Sequence, residues 1–145
     1  MPLETSRGPR VLLLVLVIIL AVCVALVIRT DYTQPWRAHQ KKFRSIVKSK
    51  FGPEKAAQIQ VGIQQIWIPD LGVTDRCVTC HMGEPWKGLE DQYIPYASHS
   101  RPELISKHPF DKFGCTFCHG GQGYATEQPE AHGWVEDWQD PRTDL

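Results

Sequence analysis

The sequence predicts a mainly α-helical and irregular chain, with a single N-terminal transmembrane helix, a helical stalk and a small C-terminal domain. Three observations carry that prediction. Val11 to Ile28 is an unbroken run of 18 apolar residues, long enough to span a bilayer as a helix. From Pro35 to Trp67, apolar residues recur at helical spacing. Beyond Leu71, apolar stretches are short, Pro and Gly are frequent, and two related pentapeptides stand out, Cys77-Val-Thr-Cys80-His81 and Cys115-Thr-Phe-Cys118-His119. The boundaries read as a tail over 1–10, an anchor over 11–28, a juxtamembrane amphipathic stalk over 29–69 and a domain over 70–145 that ends in an acidic tail.

The apolar run exceeds the 7–15 residues of a signal-peptide core, and no A-x-A-like cleavage site follows it. Leu20-Ala21-Val22-Cys23 resembles a lipoprotein box, but Val22 sits where a small residue is needed and the run continues past Cys23. A retained single-pass anchor is therefore expected, with Cys23 as a small apolar residue within it. Arg29, Arg37, Lys41, Lys42, Arg44, Lys48 and Lys50 follow the run, against Asp31, whereas only Arg7, Arg10 and Glu4 precede it. Positive-inside bias alone would leave the C-terminal domain in the cytoplasm.

In the stalk, Phe43, Ile46, Val47 and Phe51 form one apolar stripe opposite a lysine-rich face. That face suits solvent, a partner subunit or anionic headgroups. Gly52-Pro53 breaks the pattern. A second helix is expected from Pro53 to about Trp67, with Ala56, Ile59, Ile63 and Ile66 on one stripe, ending at Ile68-Pro69 because the residue before proline leaves the helical region. From Leu71 the chain reads as short helical turns and loops, with each pentapeptide on a brief helix and Pro85, Gly88, Pro95 and Pro102 punctuating the connection between them.

Both pentapeptides read C-x-x-C-H, the attachment signature of a c-type haem. Two thiols on one turn each add across a vinyl group of the same porphyrin, and the adjacent histidine is held beneath the iron. The competing readings are a four-cysteine zinc site and a thioredoxin-like pair. Zinc ribbons put about 15–20 residues between their cysteine pairs, whereas 34 lie between Cys80 and Cys115, and a tetrathiolate has no use for the two histidines. No βαβ pattern accompanies the pairs. The domain thus reads as a dihaem cytochrome c domain with two covalently bound haem c groups, held by Cys77, Cys80, His81, Cys115, Cys118 and His119.

Composition fits that reading. A formal net charge of zero gives no global bias toward nucleic acid. About 117 residues rich in Pro, Gly and Trp lie outside the anchor, a poor basis for a side-chain core. Two porphyrins would supply one, so the haem-free domain is expected to be largely unfolded. No nucleophile–base pair or paired carboxylates are evident. Met1 lies beyond the anchor, and Met82 adjoins His81 and reaches only the other iron, so the His/Met ligation that raises potentials is nearly closed. His39, His99, His108 and His132 remain; His39 sits near the anchor and far from both motifs in sequence, leaving three histidines for two positions. The glycines after His119 are expected to let the backbone pass close to a porphyrin face.

The segment Ile66 to His81, with Asp75-Arg-Cys77-Val-Thr-Cys-His81, resembles the first haem site of a family of bacterial membrane-anchored multihaem c-type cytochromes. His108-Pro-Phe-Asp-Lys-Phe-Gly-Cys115-Thr-Phe-Cys-His-Gly-Gly-Gln-Gly-Tyr-Ala-Thr126 resembles its second site, and Ala131-His132-Gly133 its trailing histidine motif. The resemblance covers roughly residues 55–135 and implies a subunit of a respiratory electron-transfer complex. Many of these cytochromes carry further haem motifs, and this chain has two. By that resemblance His81 and His119 are proximal ligands, with His108 distal to the first haem, His132 distal to the second and His99 in reserve for the first. Covalent haem attachment in c-type cytochromes is completed outside the energy-conserving membrane. The resemblance thus places the chain in the bacterial inner membrane with its domain in the periplasm, overriding the charge bias.

Glu127 to Leu145 holds six acidic residues against Arg142, together with Trp134 and Trp138. Acidic surface near a haem steers a basic redox partner, or it coats the domain or packs in an assembly. The leading expectation is a non-catalytic electron carrier served by integral membrane subunits, such as a quinol-oxidising cytochrome b, and by another cytochrome c. The alternatives are a haem enzyme with one open iron that reduces peroxide or nitrite, and a chiefly structural subunit.

Overall fold

The computed structural model describes residues 7–142. It is mainly helical and divides between Gln34 and Pro35 into two units. Within the first unit, α1 (Arg7–Tyr32) is one continuous helix. At 1.5 Å per residue its 26 residues extend about 39 Å, and none is buried. By length and composition it is able to cross a membrane. Of the tail expected over 1–10, residues 7–10 are helical and 1–6 lie outside the described residues.

The second unit begins with α2 (Pro35–Phe51), with Pro at the first helical position. Trp36, Gln40, Phe43 and Val47 are its buried residues, spaced four, three and four apart on one face. Gly52, at φ +90°, turns the chain into α3 (Pro53–Ala57). Phe43, Val47, Ala56 and Ile59 then pack with Met82, Leu89 and Tyr96 in one apolar cluster, which Ile46 and Trp86 flank. Much of the segment expected to form a stalk therefore builds the core of this unit. Met82, weighed as a ligand, is a core side chain. Outside the cluster, Lys50 pairs with Asp91 and donates to Gly88 O at 2.8 Å.

The second stalk helix, expected to reach Trp67, stops at Ala57. Tertiary bonds hold the next residues extended. Gln40, 1% exposed, donates from Nε2 to Gly62 O (2.6 Å) and accepts from Gly62 N at Oε1 (2.9 Å). Thr79 Oγ1 accepts from Gln64 N (3.0 Å) and donates to Gln64 O (2.9 Å). Gly62 sits at φ +135°, outside helical geometry, and the β-branched Val61, Ile63, Ile66 and Ile68 suit an extended chain.

A hairpin absent from the sequence expectation follows. β1 (Ile66–Ile68) pairs antiparallel with β2 (Val73–Asp75), in the register Ile66 to Asp75, Trp67 to Thr74 and Ile68 to Val73. Its connection is a 3₁₀ turn over Pro69–Leu71, closed by Gly72 in the left-handed region. The hairpin buries Ile68, Thr74 and Asp75. Four short helices complete the unit: α4 (Pro102–Lys107), α5 (Phe110–Phe113), α6 (Thr116–His119) and α7 (Gln128–Ala131). None of the four contains a buried residue.

Candidate functional site

The two C-x-x-C-H segments form the same local structure. Cys77–Thr79 is a 3₁₀ turn in which Cys80 N and His81 N both donate to Cys77 O, at 3.2 and 3.0 Å. At the second motif Cys118 N and His119 N both donate to Cys115 O, again at 3.2 and 3.0 Å. Each turn carries two thiols and one imidazole within five residues of backbone. That donor set fits a doubly thioether-linked haem with a histidine beneath its iron.

One carboxylate ties the two turns together. Asp75, at the end of β2, has no exposed surface. Its Oδ1 accepts from Cys77 N at 3.0 Å. Its Oδ2 accepts from Cys115 N (2.7 Å), Thr116 N (2.8 Å) and Thr116 Oγ1 (3.0 Å). Burial pushes the acid upward, but the amides of Thr116, Cys77 and Cys115 outweigh it and hold the carboxyl below its usual range. Gly114 makes the approach possible: at φ +64°, a Cβ there would lie 2.8 Å from Asp75 Oδ2 and 2.9 Å from Ile68 Cδ1. Gly123 packs as closely on β2, where a Cβ would meet Thr74 O at 2.7 Å. Of the glycines after the second motif, Gly123 is thus the one whose close neighbour on β2 leaves no room for a side chain.

The tether brings Cys77 and Cys115 side by side, and one ligand atom from each of Asp75, Cys77 and Cys115 lies within 4.8 Å of the others. Cys80 and Cys118 stand outside this group, so the four thiols do not converge as a zinc tetrathiolate requires. A metal on Asp75, Cys77 and Cys115 would compete for carboxylate oxygens that already accept four hydrogen bonds. It would also need thiolates. The Cys77 thiol is held far above its ordinary range by hydrogen bonding with Cys115, by burial and by the Asp75 charge. Burial also pushes Cys80 up to about 11.

The histidines fall into pairs. The His81 and His132 ring centres lie 6.1 Å apart, and those of His99 and His119 lie 6.2 Å apart. All four residues are half-buried. Burial, followed by the charges of His132, His39 and His119, pushes His81 down to about 4, so its imidazole is neutral at pH 7 with a lone pair to give. His132 is delivered by α7, whose Ala131 O accepts from Gln122 N (3.1 Å) beside the second motif. His99 is set by its own amide, which donates to Glu84 O (3.2 Å) just after the first motif. His108 is exposed, and its ring packs edge-on to Phe113 at 5.2 Å. His39, remote from the motifs in sequence, lies close enough to perturb His81, and its Nδ1 bonds the Tyr96 hydroxyl at 3.1 Å.

The acidic tail enters the site as well. His119 Nδ1–H donates to Arg142 O at 2.7 Å. Arg142 N donates to His119 O (2.6 Å), and its guanidinium donates to Cys118 O (3.2 Å). A backbone carbonyl on Nδ1 fixes the tautomer and leaves Nε2 free as a ligand. Nothing in the motif spelling marks Arg142 or Asp75 for these roles. Asp75 carries a weak signal as the Asx residue two positions before the first cysteine. The chain matches no protein-family model, no curated protein and no solved structure.

Proposed function

We propose that this chain is a membrane-anchored dihaem c-type cytochrome, an electron-transfer subunit of a respiratory, quinol-oxidising membrane complex with its haem domain in the periplasm. The observation that carries the reading is the duplicate C-x-x-C-H turn, with identical hydrogen-bond lengths at both motifs and one shared carboxylate. Cys77 and Cys80 bind one porphyrin and Cys115 and Cys118 the other, with His81 and His119 as proximal ligands. When bound, each haem supplies a one-electron ferric/ferrous couple. Asp75 fixes the two motifs in register, so electrons entering at one have a short path to the other. Cytochrome b is the proposed donor subunit and another cytochrome c the acceptor. The exposed Phe117, Tyr124 and Trp134 offer aromatic surface to such partners.

The test is maturation of the full chain in a host that attaches haem c, followed by a pyridine haemochrome assay and the intact mass of the denatured polypeptide. Two covalent haems per chain are expected, and one after Cys77→Ala with Cys80→Ala. A wild-type chain that matures without covalent haem, or that binds stoichiometric zinc instead, would end this reading.

A further inference from the structure

We infer that the two irons are ligated axially by His81 with His132 and by His119 with His99, and that His108 ligates neither. The inference rests on the dihaem reading and changes the ligand sets that the family resemblance implied. Metal–imidazole bonds are about 2.0–2.1 Å, and a ring nitrogen sits about 1.1 Å from its ring centre, so two imidazoles on opposite sides of one iron have centres roughly 6.3 Å apart. The observed separations are 6.1 Å for His81–His132 and 6.2 Å for His99–His119. Interplanar angles of 58° and 63° are compatible with this, because each ring plane contains its own metal–nitrogen bond and is free to turn about it.

Packed aromatic rings occupy a similar range of distances, so partner identity has to assign the pairs. The ring neighbour of each motif histidine is another histidine, and it is a different one in each case. Phe110 and Trp134 flank the second members, His99 and His132. Among the described residues the ring that packs on His108 is that of Phe113, and His39 is held by Tyr96. The two pairs also differ in readiness. His119 has its Nδ1 proton placed on Arg142 O. His99 Nδ1 accepts from Arg101 N at 3.1 Å, so its neutral form carries the proton on Nε2. To ligate through Nε2, His99 must move that proton to Nδ1 and release the Arg101 amide. His99 is therefore the ligand more easily displaced.

The test uses the full chain matured with haem and held in detergent, read in the ferric state by near-infrared magnetic circular dichroism and electron paramagnetic resonance. Two low-spin bis-histidine signals are expected for wild type. In a chain that keeps only the first motif (Cys115→Ala with Cys118→Ala), His132→Ala should turn the haem high-spin, while His99→Ala and His108→Ala leave it low-spin. In a chain that keeps only the second motif (Cys77→Ala with Cys80→Ala), His99→Ala should produce the high-spin haem. Added imidazole should return each to low spin, which separates a vacated ligand position from a misfolded chain. A high-spin haem in His108→Ala, alone or in the first-motif chain, overturns the assignment, as does a low-spin second haem in His99→Ala. His108 is exposed, so its variant tests the exclusion even if a single-motif chain does not fold. A wild-type chain without covalent haem fails earlier, at the proposed function, and removes this assignment with it.

Discussion

Asp75 has no exposed surface and accepts from four donors on two motifs that lie about 40 residues apart. Hydrogen bonds to an ionised acceptor are worth about 1.5–3 kcal/mol each, and a buried donor left unmade costs a similar amount. Asp75→Asn keeps one oxygen and turns the other into a donor that faces either one amide or two amides and a hydroxyl. We expect it to destabilise the matured chain by about 3 kcal/mol, read as a fall in thermal midpoint. The pH dependence has a definite sign. The folded carboxyl is held below its unfolded value of 3.8, so its contribution is complete above that value and is lost as pH falls through the folded one. The wild-type melting temperature should therefore drop below about pH 4, and the Asn variant, lower at neutral pH, should drop by less. An Asn variant with the wild-type midpoint would remove Asp75 from its structural role. The reading of the sequence singled out neither Asp75 nor Arg142 for a structural role. Their partners lie far along the chain, and motif spelling records only near neighbours. The cysteines and motif histidines were legible because their chemistry demands a fixed local spacing.

At the scale of elements, local periodicity read α1 and α2 well, since the stripes that define them lie within the helices themselves. It failed from Gln58 onward, where the same apolar spacing was overridden by Gln40 on Gly62 and Thr79 on Gln64. It also missed the hairpin, whose strands are three residues each, too short to display alternation. Glycine contacts decide how closely these elements approach. Gly114 sits at φ 64° and ψ −166°, in a region that is almost exclusive to glycine and costs other residues about 1–3 kcal/mol. A Cβ there also presses on Asp75 and Ile68. Gly72 sits at φ 62° and ψ 28° with open space around it, where a side chain costs only about 1–2 kcal/mol. Gly114→Ala should therefore lower the melting temperature clearly more than Gly72→Ala. Equal losses would mean that the close approach of α5 and α6 to the hairpin carries no energy beyond backbone strain.

Across residues 35–142 the apolar core is one-sided. Every buried apolar side chain among the described residues lies between Trp36 and Tyr96. The half from Pro102 to Arg142 is held by Asp75, by glycine contacts to β2 and by the Arg142 bonds to the second motif. The haem-free domain is expected to be largely unfolded, and the part best placed to resist is the core shared by α2, α3 and the Leu89–Tyr96 loop. A porphyrin on Cys115 and Cys118 would give the other half the apolar surface it lacks, and binding energy in such a site is folding energy. Local stability should follow this division. In the full chain with Cys115→Ala and Cys118→Ala, amides of α5 and α6 should exchange with solvent as fast as an unfolded peptide, while α7 stays docked through His132 on the first haem. Amides of Phe43 to Val47 should keep most of their protection. Hydrogen exchange read by mass spectrometry separates the outcomes. Protection retained in both halves would mean that the hydrogen bonds around Asp75 and Arg142 suffice without the second haem. Protection lost in both would mean that the α2 core depends on that haem as well, and the two halves would then fold as a single unit.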